Sequence, residues 1–284
     1  MAKNSYTLQL DKNKINDVIN YYKDYECSVN NQYVLHHFKY NSVDISIYTS
    51  FKVLFMGNNA FEEYSKFANL VSWEHKDDHA GSDEVGTGDF FGPVVVVASY
   101  FTSKDLEYVN NLNIKDSKKL NDEYIKQIGP ELINKFPNSI LILHNDKYNE
   151  MVKKGFNMNK LKAYLHNKAY INLMKKVNKI DYFVLDQFAE KNTYYSYLND
   201  YNEVVKNVVF KTKAEDKSPA VAIASLIARY VFLVEMDKLS SIVGFELKKG
   251  ENDEVVKQKH YIENKFGKDI FSKIAKLNFK TINK

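Results

Sequence analysis

Four carboxylates stand at positions where carboxylates are costly. Asp83 and Glu84 lie in Gly81-Ser-Asp-Glu-Val-Gly-Thr-Gly-Asp-Phe-Phe-Gly-Pro93, at the end of a short strand-like segment that runs into glycines. Asp186 closes the apolar run Tyr182-Phe183-Val184-Leu185. Glu215 stands in Lys211-Thr-Lys-Ala-Glu-Asp-Lys-Ser218, just ahead of a long apolar stretch. A carboxylate buried at the end of an apolar element is unfavourable unless it is paired or bound to metal. The chain contains one arginine, Arg229, so no set of guanidinium partners answers the four acids. A divalent cation would offset their mutual repulsion. Oxygen-only donors favour Mg²⁺ or Mn²⁺ over zinc. Two such ions would hold both oxygens of an in-line phosphoryl displacement. Asp216, beside Glu215, competes for the fourth place.

Adjacent strand residues point to opposite faces. Asp83 and Glu84 therefore reach one site only where the strand ends or twists, and Gly86-Thr87-Gly88 supplies such a break. Glycines there also let a nucleic-acid backbone approach, with peptide N–H groups turned toward phosphate. Other chemistries are poorly supported. The one cysteine, Cys27, rules out an intrachain disulfide and reads as a bystander thiol. No Cys/His cluster has zinc-ligand spacing, and neither a nucleotide-binding Gly-x4-Gly-Lys-Ser/Thr loop nor a serine nucleophile motif is present. His166 reads as a structural helix residue, and Arg229 as the partner of a nearby carboxylate.

The elements that must carry these residues follow from periodicity. Residues 1–64 read as a small α+β unit: a helix from Asp11 to Tyr22, then strands Tyr33 to Tyr40, Val43 to Tyr48 and Lys52 to Met56. Asn41-Ser42 and Thr49-Ser50 are the hairpin turns, Gly57-Asn58-Asn59 ends the last strand, and a helix spans Ala60 to Leu70. This order leaves one sheet face free for binding or packing. Residues 65–80 read as a linker, and 81–284 as a mixed α/β layer domain. Its strands are expected at Ala80 to Glu84, Val94 to Phe101, Ser139 to His144 and Tyr182 to Asp186. Its helices are expected at Met158 to Val177 and Ser218 to Leu239, with further helix at Tyr261 to Phe271 and Ile274 to Lys276. Ser218 is placed to cap the long helix and Pro219 to begin it. Asn157 and Asn159 either cap the Met158 helix or place substrate.

Composition fits a globular chain: 284 residues, 44% hydrophobic and 27% charged. No uninterrupted apolar run reaches the roughly 18 residues of a membrane span, and Met1 to Leu10 does not read as a signal peptide. A cytoplasmic location without membrane association is expected. Net charge is +4, and residues 248–284 hold ten lysines against five acids. A basic end suits a polyanion, although on charge alone a solvated helix face is the better reading.

These motifs together resemble the type 2 ribonucleases H, in the ribonuclease HIII form. The glycine-rich stretch 81–93 resembles the family signature, and Lys115-Asp-Ser-Lys-Lys-Leu120 its second motif. Asn157-Met-Asn-Lys-Leu-Lys-Ala-Tyr-Leu-His-Asn167, Leu185-Asp-Gln-Phe188, Thr212-Lys-Ala-Glu215 and Ala222-Ile-Ala-Ser-Leu-Ile-Ala-Arg229 follow in family order, with a weaker match at Lys276-Leu-Asn-Phe279. The resemblance implies an α/β RNase H-like catalytic domain, and an N-terminal domain that resembles the TATA-binding-protein fold and grips substrate. It implies an endoribonuclease that cuts the RNA strand of RNA/DNA hybrids, using two Mg²⁺ or Mn²⁺ ions and leaving 5′-phosphate and 3′-hydroxyl ends. Asp83, Glu84, Asp186 and Glu215 map onto its catalytic and metal-binding acids, the Thr-Lys-Ala-Glu pattern favouring Glu215 over Asp216. Gly86, Thr87, Gly88, Lys118, Asn157 and Asn159 map onto substrate contacts. The hybrid would be read by shape and 2′-hydroxyls, and a monomer is expected. Gly86-Thr87-Gly88 replaces the Gly-Arg-Gly of the ribonuclease HII form, and Asn278 stands where histidine is expected. Two rivals stay open: a ribonuclease HII-like junction nuclease, separable by a substrate with one embedded ribonucleotide, and a non-catalytic hybrid-binding protein.

Overall fold

The computed structural model describes residues 4–67, 70, 73–112, 114 and 120–279. They fall into two compact units, 1–76 with 103–119, and 77–102 with 120–284.

The first unit is built on an antiparallel sheet. Its strands are β1 (Ser5–Gln9), β2 (Val34–Tyr40), β3 (Val43–Tyr48) and β4 (Lys52–Gly57), in the order β1-β4-β3-β2. Helices α1 (Lys12–Tyr22) and α2 (Ala60–Ser65) pack on it, and α3 (Leu106–Asn111) also belongs to this unit. Alternation in β3 explains the packing: Val43, Ile45 and Ile47 are buried, whereas Asp44, Ser46 and Tyr48 are half-buried. The β2–β3 turn holds Asn41 and Ser42 at φ 50° and 61°, the mirror-image turn that suits strand twist. Sequence periodicity had three strands here; the structure adds β1, whose residues pair with β4 from Ser5↔Met56 to Gln9↔Lys52. Only Leu8 of this strand is buried, so no apolar pattern marked it. The helix expected to Leu70 stops at Ser65.

The second unit carries a five-stranded mixed sheet in the order β7-β6-β5-β8-β9. These strands are β5 (His79–Val85), β6 (Val94–Phe101), β7 (Asn138–Leu143), β8 (Phe183–Asp186) and β9 (Val208–Lys211). Its helices are α4 (Asp122–Lys135), α5 (Asn145–Lys153), α6 (Met158–Met174), α7 (Lys191–Tyr197), α8 (Pro219–Val243), α9 (Asp253–Phe266) and α10 (Phe271–Ile274). β5 is antiparallel to β6 and parallel to β8, and β8 is parallel to β9.

Helices cover both faces of this sheet, which is why Val94 to Ser99 are all buried rather than alternating. On one face, Ala80, Val94, Val96, Phe183 and Leu185 join the core with Leu161, Ala169 and Tyr170 of α6. On the other, Val184 packs with Val221 of α8 and Ala214. Gly81 faces α8 so closely that a Cβ there would collide with Val221. α8 is long and apolar enough, by length and composition, to cross a membrane, although Arg229 interrupts its apolar run. Its apolarity has another cause here, since 78% of its most apolar window is buried in this unit. Ser218 Oγ accepts from Val221 N at 3.2 Å and Pro219 opens the helix, as the sequence suggested.

The C-terminal expectations need revision. Helix occupies 253–266 and 271–274, broken at Gly267 with φ 80°. Ala275 is not helical but bridges to Phe91 as a strand would. Helices α4, α5 and α7 and strand β9 went unrecognised, β9 because four residues with no flanking turn signal carry little period.

Candidate active site

The one-residue alternation of β5 divides the carboxylates between two faces. Gly81 and Asp83 face α8; Ser82 and Glu84 face α6. Ser225 of α8 hydrogen-bonds the Asp83 carboxyl, and the Glu84 backbone N–H donates to Asp83 Oδ1 at 2.8 Å. Pairing of Ser82 with Leu185 brings Asp83 beside Asp186 on the neighbouring parallel strand, on the same face. Asp186 Oδ1 accepts from Ala214 N at 3.0 Å, which ties the end of β8 to the 3₁₀ turn Ala214–Asp216 bearing Glu215. Lys213, in the left-handed region at φ 53°, makes the sharp entry to that turn. The fold thus gathers Asp83, Asp186 and the Glu215 turn on the α8 face.

Glu84 is held from the other side. Lys162 pairs with its Oε1, and His166 Nε2 stands 2.9 Å from its Oε2. Lys162 and His166 are four residues apart on α6 and so share a face. Phe188 backs both, 4.1 Å from Lys162 Nζ to its ring centre and stacked on His166 at 5.7 Å. His166, expected to be structural, has a fully buried ring that is bonded to a candidate catalytic acid. The spacing of Lys162 and His166 was visible in the sequence, but not the strand residue they meet.

The two acids feel opposite fields. Burial, reinforced by the charges of Glu84 and Glu215, pushes the Asp83 carboxyl up to about 8 against its hydrogen bonds. Burial would also raise Glu84, but the His166 hydrogen bond and the charges of His166 and Lys162 outweigh it and hold Glu84 at about 2.

Among the described residues, no three His, Cys, Asp or Glu side chains are gathered closely enough to hold a metal ion. The donor chemistry nonetheless fits a hard divalent cation. Asp83, Asp186 and Glu215 offer oxygens only, and the upward push on Asp83 from neighbouring carboxylates is repulsion that a cation would relieve.

The remaining sequence candidates differ in character. Gly86 is required by its φ of 94° and by Pro93 O, which a Cβ would strike, whereas Gly88 is exposed with open space around it. Thr87 between them is half-buried. Asn157 caps α6, accepting from Lys160 N at 2.8 Å, and Asn159 is exposed in the first turn. Lys118, with most of its motif, lies outside the described residues. Arg229 pairs with Asp122 at 3.0 Å, as expected, and donates to Leu120 O at 2.9 Å.

A further contact escaped sequence reading. Lys276 is fully buried, its Nζ donating to Asp89 O at 2.8 Å and Gly92 O at 2.5 Å. Lys276 N donates to Phe90 O at 2.9 Å and Gly92 N to Ile274 O at 3.0 Å, so the C-terminal segment clamps the end of the glycine-rich stretch. Asn278, in place of the expected histidine, accepts from Tyr148 OH at 3.0 Å.

A mixed sheet of this order, with acids at adjacent strand ends and a fourth before a long buried helix, is the framework of a metal-dependent nuclease. Residues 80–282 match the family model described as Ribonuclease HII, and residues 5–79 match a domain of unknown function (DUF3378). The chain is 39% identical to the Ribonuclease HIII of Phytoplasma mali (strain AT), over 99% of this chain and 98% of that protein. It is also 39% identical to a Ribonuclease HIII of Bacillus cereus (strain ATCC 10987 / NRS 248), over 99% and 97%. The crystal structure of Bst-RNase HIII in complex with Mn²⁺ is similar at a TM-score of 0.75 and 32% identity, covering 99% of this chain and 97% of that one. The chain therefore belongs to the type 2 ribonuclease H family, in its ribonuclease HIII group. It is an endoribonuclease that hydrolyses the RNA strand of RNA/DNA hybrids, with the divalent-metal dependence of its family.

Proposed function

We propose that Asp83, Glu84, Asp186 and Glu215 are the catalytic and metal-binding acids. The observation that carries this reading is the side-by-side placement of Asp83 and Asp186 on adjacent parallel strands, next to the turn of Glu215. Bound Mg²⁺ or Mn²⁺ supplies activation of the attacking water and stabilisation of the leaving 3′-oxygen. Asp83 and Asp186 hold the ions most directly; Glu215 completes their shell. Glu84, fixed by Lys162 and His166, borders the same site from the α6 side and orients water or ligand. Gly88 and Thr87 lie against the substrate backbone, Gly86 shapes the turn that presents them, and Lys118, Asn157 and Asn159 contribute further substrate contacts.

Residues 1–64 form the substrate-binding domain, with 65–80 as linker up to the first residues of β5, and 81–284 as catalytic domain apart from 103–119, which belong to the first unit. The sheet face away from α1 and α2 carries Gln9, His37, Lys39, Ser46, Tyr48 and Lys52 around Asp44, Leu54 and Met56, a mixed face whose polar and aromatic members suit sugars and phosphates. Such a face agrees with a domain like the TATA-binding-protein fold. The enzyme acts as a monomer in the cytoplasm on hybrid duplexes.

The test is cleavage of a labelled RNA strand annealed to DNA, in Mg²⁺, Mn²⁺ and EDTA, by the wild type and by Asp83→Asn. The expected result is metal-dependent internal cutting by the wild type, and none by Asp83→Asn with hybrid binding kept. Substantial residual cutting by Asp83→Asn would sink the site assignment.

A further inference from the structure

The hydrogen-bond chain behind Glu84 allows its donors to be assigned one by one. Val184 O is a backbone carbonyl and can only accept, so Tyr170 gives it its single hydroxyl hydrogen at 2.9 Å. Ser82 Oγ lies 2.6 Å from Tyr170 OH, and with that hydrogen committed, Ser82 must be the donor. Ser82 then has no hydrogen left for His166, 2.8 Å away, so His166 Nδ1 donates to Ser82 Oγ. The other ring nitrogen, Nε2, is left facing Glu84 Oε2 at 2.9 Å. Ser82, His166 and Tyr170 are all fully buried, so no water competes for these bonds. Flipping the ring would put carbon atoms against both Ser82 and Glu84 and lose both bonds. The chain therefore fixes the orientation of the imidazole and the place of the Nδ1 proton.

The geometry points to Ser82 and Tyr170 as positioning residues for Glu84, acting through His166. His166 holds one carboxylate oxygen and Lys162 the other, so Glu84 is oriented from the sheet interior outward. Direct partners of a metal-site carboxylate, as His166 is of Glu84, characteristically cost about 10- to 100-fold in metal affinity or activity when lost, and Ser82 and Tyr170, further back along the chain, belong at the low end of that range. The inference rests on the reading that Glu84 is one of the working acids. The bland alternative is a buried polar chain that only stabilises the core. It predicts lower melting temperatures and nothing specific to Glu84.

The experiment uses the full-length protein with Ser82→Ala, Tyr170→Phe, His166→Gln and the double variant Ser82→Ala/His166→Gln. Turnover and KM on hybrid, Mn²⁺ affinity by isothermal titration, and melting temperature are measured for each. Ser82→Ala and Tyr170→Phe are expected to lower kcat about tenfold. KM is expected to stay within about twofold, and Mn²⁺ binding to weaken, because the effect is on an acid rather than on substrate grip. In the His166→Gln background, Ser82→Ala should add little, since the two act along one chain. Equal, additive losses in both backgrounds, or a fall in melting temperature alone, would overturn the proposal. Glu84→Gln separates the two levels. If it keeps full activity, the reading of Glu84 as a working acid fails. If it is inactive while Ser82→Ala and Tyr170→Phe turn over normally, only the positioning chain fails.

Discussion

Asp83 and Glu84 are neighbours in the chain, and their surroundings are opposite. Asp83 meets a serine hydroxyl and a backbone N–H on the α8 face, and burial, with the charges of Glu84 and Glu215, pushes its carboxyl up to about 8. Glu84 meets a lysine and a histidine on the α6 face, and is held at about 2. Both are partly buried, so burial alone does not distinguish them. A single step along a strand changes the face, and the face decides whether a carboxylate is held by the hydroxyl of α8 or by the cations of α6. The Asp83 side, where the charges of Glu84 and Glu215 push its carboxyl up, suits a metal ion. The Glu84 side carries its own cations and suits orientation.

That contrast can be broken from either side. Asp83→Asn has the largest expected effect: a loss on the order of 10³-fold in cleavage, since a metal ligand supports several kcal/mol of transition-state stabilisation. The hybrid cleavage assay reads it, and a loss below about tenfold would mean that the α8 face is not where the chemistry happens. Lys162→Met acts on the opposite face, and about 10- to 100-fold should go from kcat. Lys162→Arg should restore part of that, because a cation beside Glu84 is regained. If Lys162→Met raises KM for the hybrid with kcat intact, Lys162 binds substrate instead of orienting Glu84.

Lys276 extends the comparison to a buried amine that donates to two backbone carbonyl oxygens. Burial lowers its amine to about 7 despite the pull of Asp89. The folded value lies below the unfolded one, so between about 7 and 10.5 the unfolded chain binds more protons and stability rises with pH. Below about 7 the full cost of a buried ammonium is present. This group should contribute about 2 kcal/mol of rise across that window, discounted from the roughly 1.4 kcal/mol per pKa unit because its two carbonyl bonds favour the charged form. Urea midpoints at several pH values, for wild type and Lys276→Met, check it; identical slopes would mean that Lys276 is not the group responsible. The smallest effect is expected at Ser225→Ala, which removes one hydroxyl from Asp83: about 1 kcal/mol, or several-fold in turnover. A loss as large as that of Lys162→Met would erase the distinction between the two faces.

Much of the second unit was legible because its signals are local. Val94 to Phe101 reads as a strand buried on both faces, and Ser218-Pro219 as a helix start, without knowledge of any partner. β1 was missed because Leu8 is its only fully buried residue and its pairing with β4 is remote in sequence. Ala275 was read as helix because its apolar neighbours fit a helical period, while its actual partner, Phe91, lies far away in the chain. Lys276 was missed for the same reason: no composition or spacing marks a lysine destined for full burial.

By itself the sequence determined the inventory: four acids at element ends, an oxygen-only donor set with a single arginine in the chain, and glycines where the backbone must turn. Those are properties of residue type and short-range order, which the chain carries before it folds. Tertiary structure alone decided the allocation. It set Asp83 beside Asp186 through strand register, turned Glu84 to the other face, and brought Lys162, His166, Ser82 and Tyr170 together around it. Charge and hydrogen-bond energies depend on distances of a few ångströms. Distances between residues some eighty positions apart are set by packing, not by spacing along the chain.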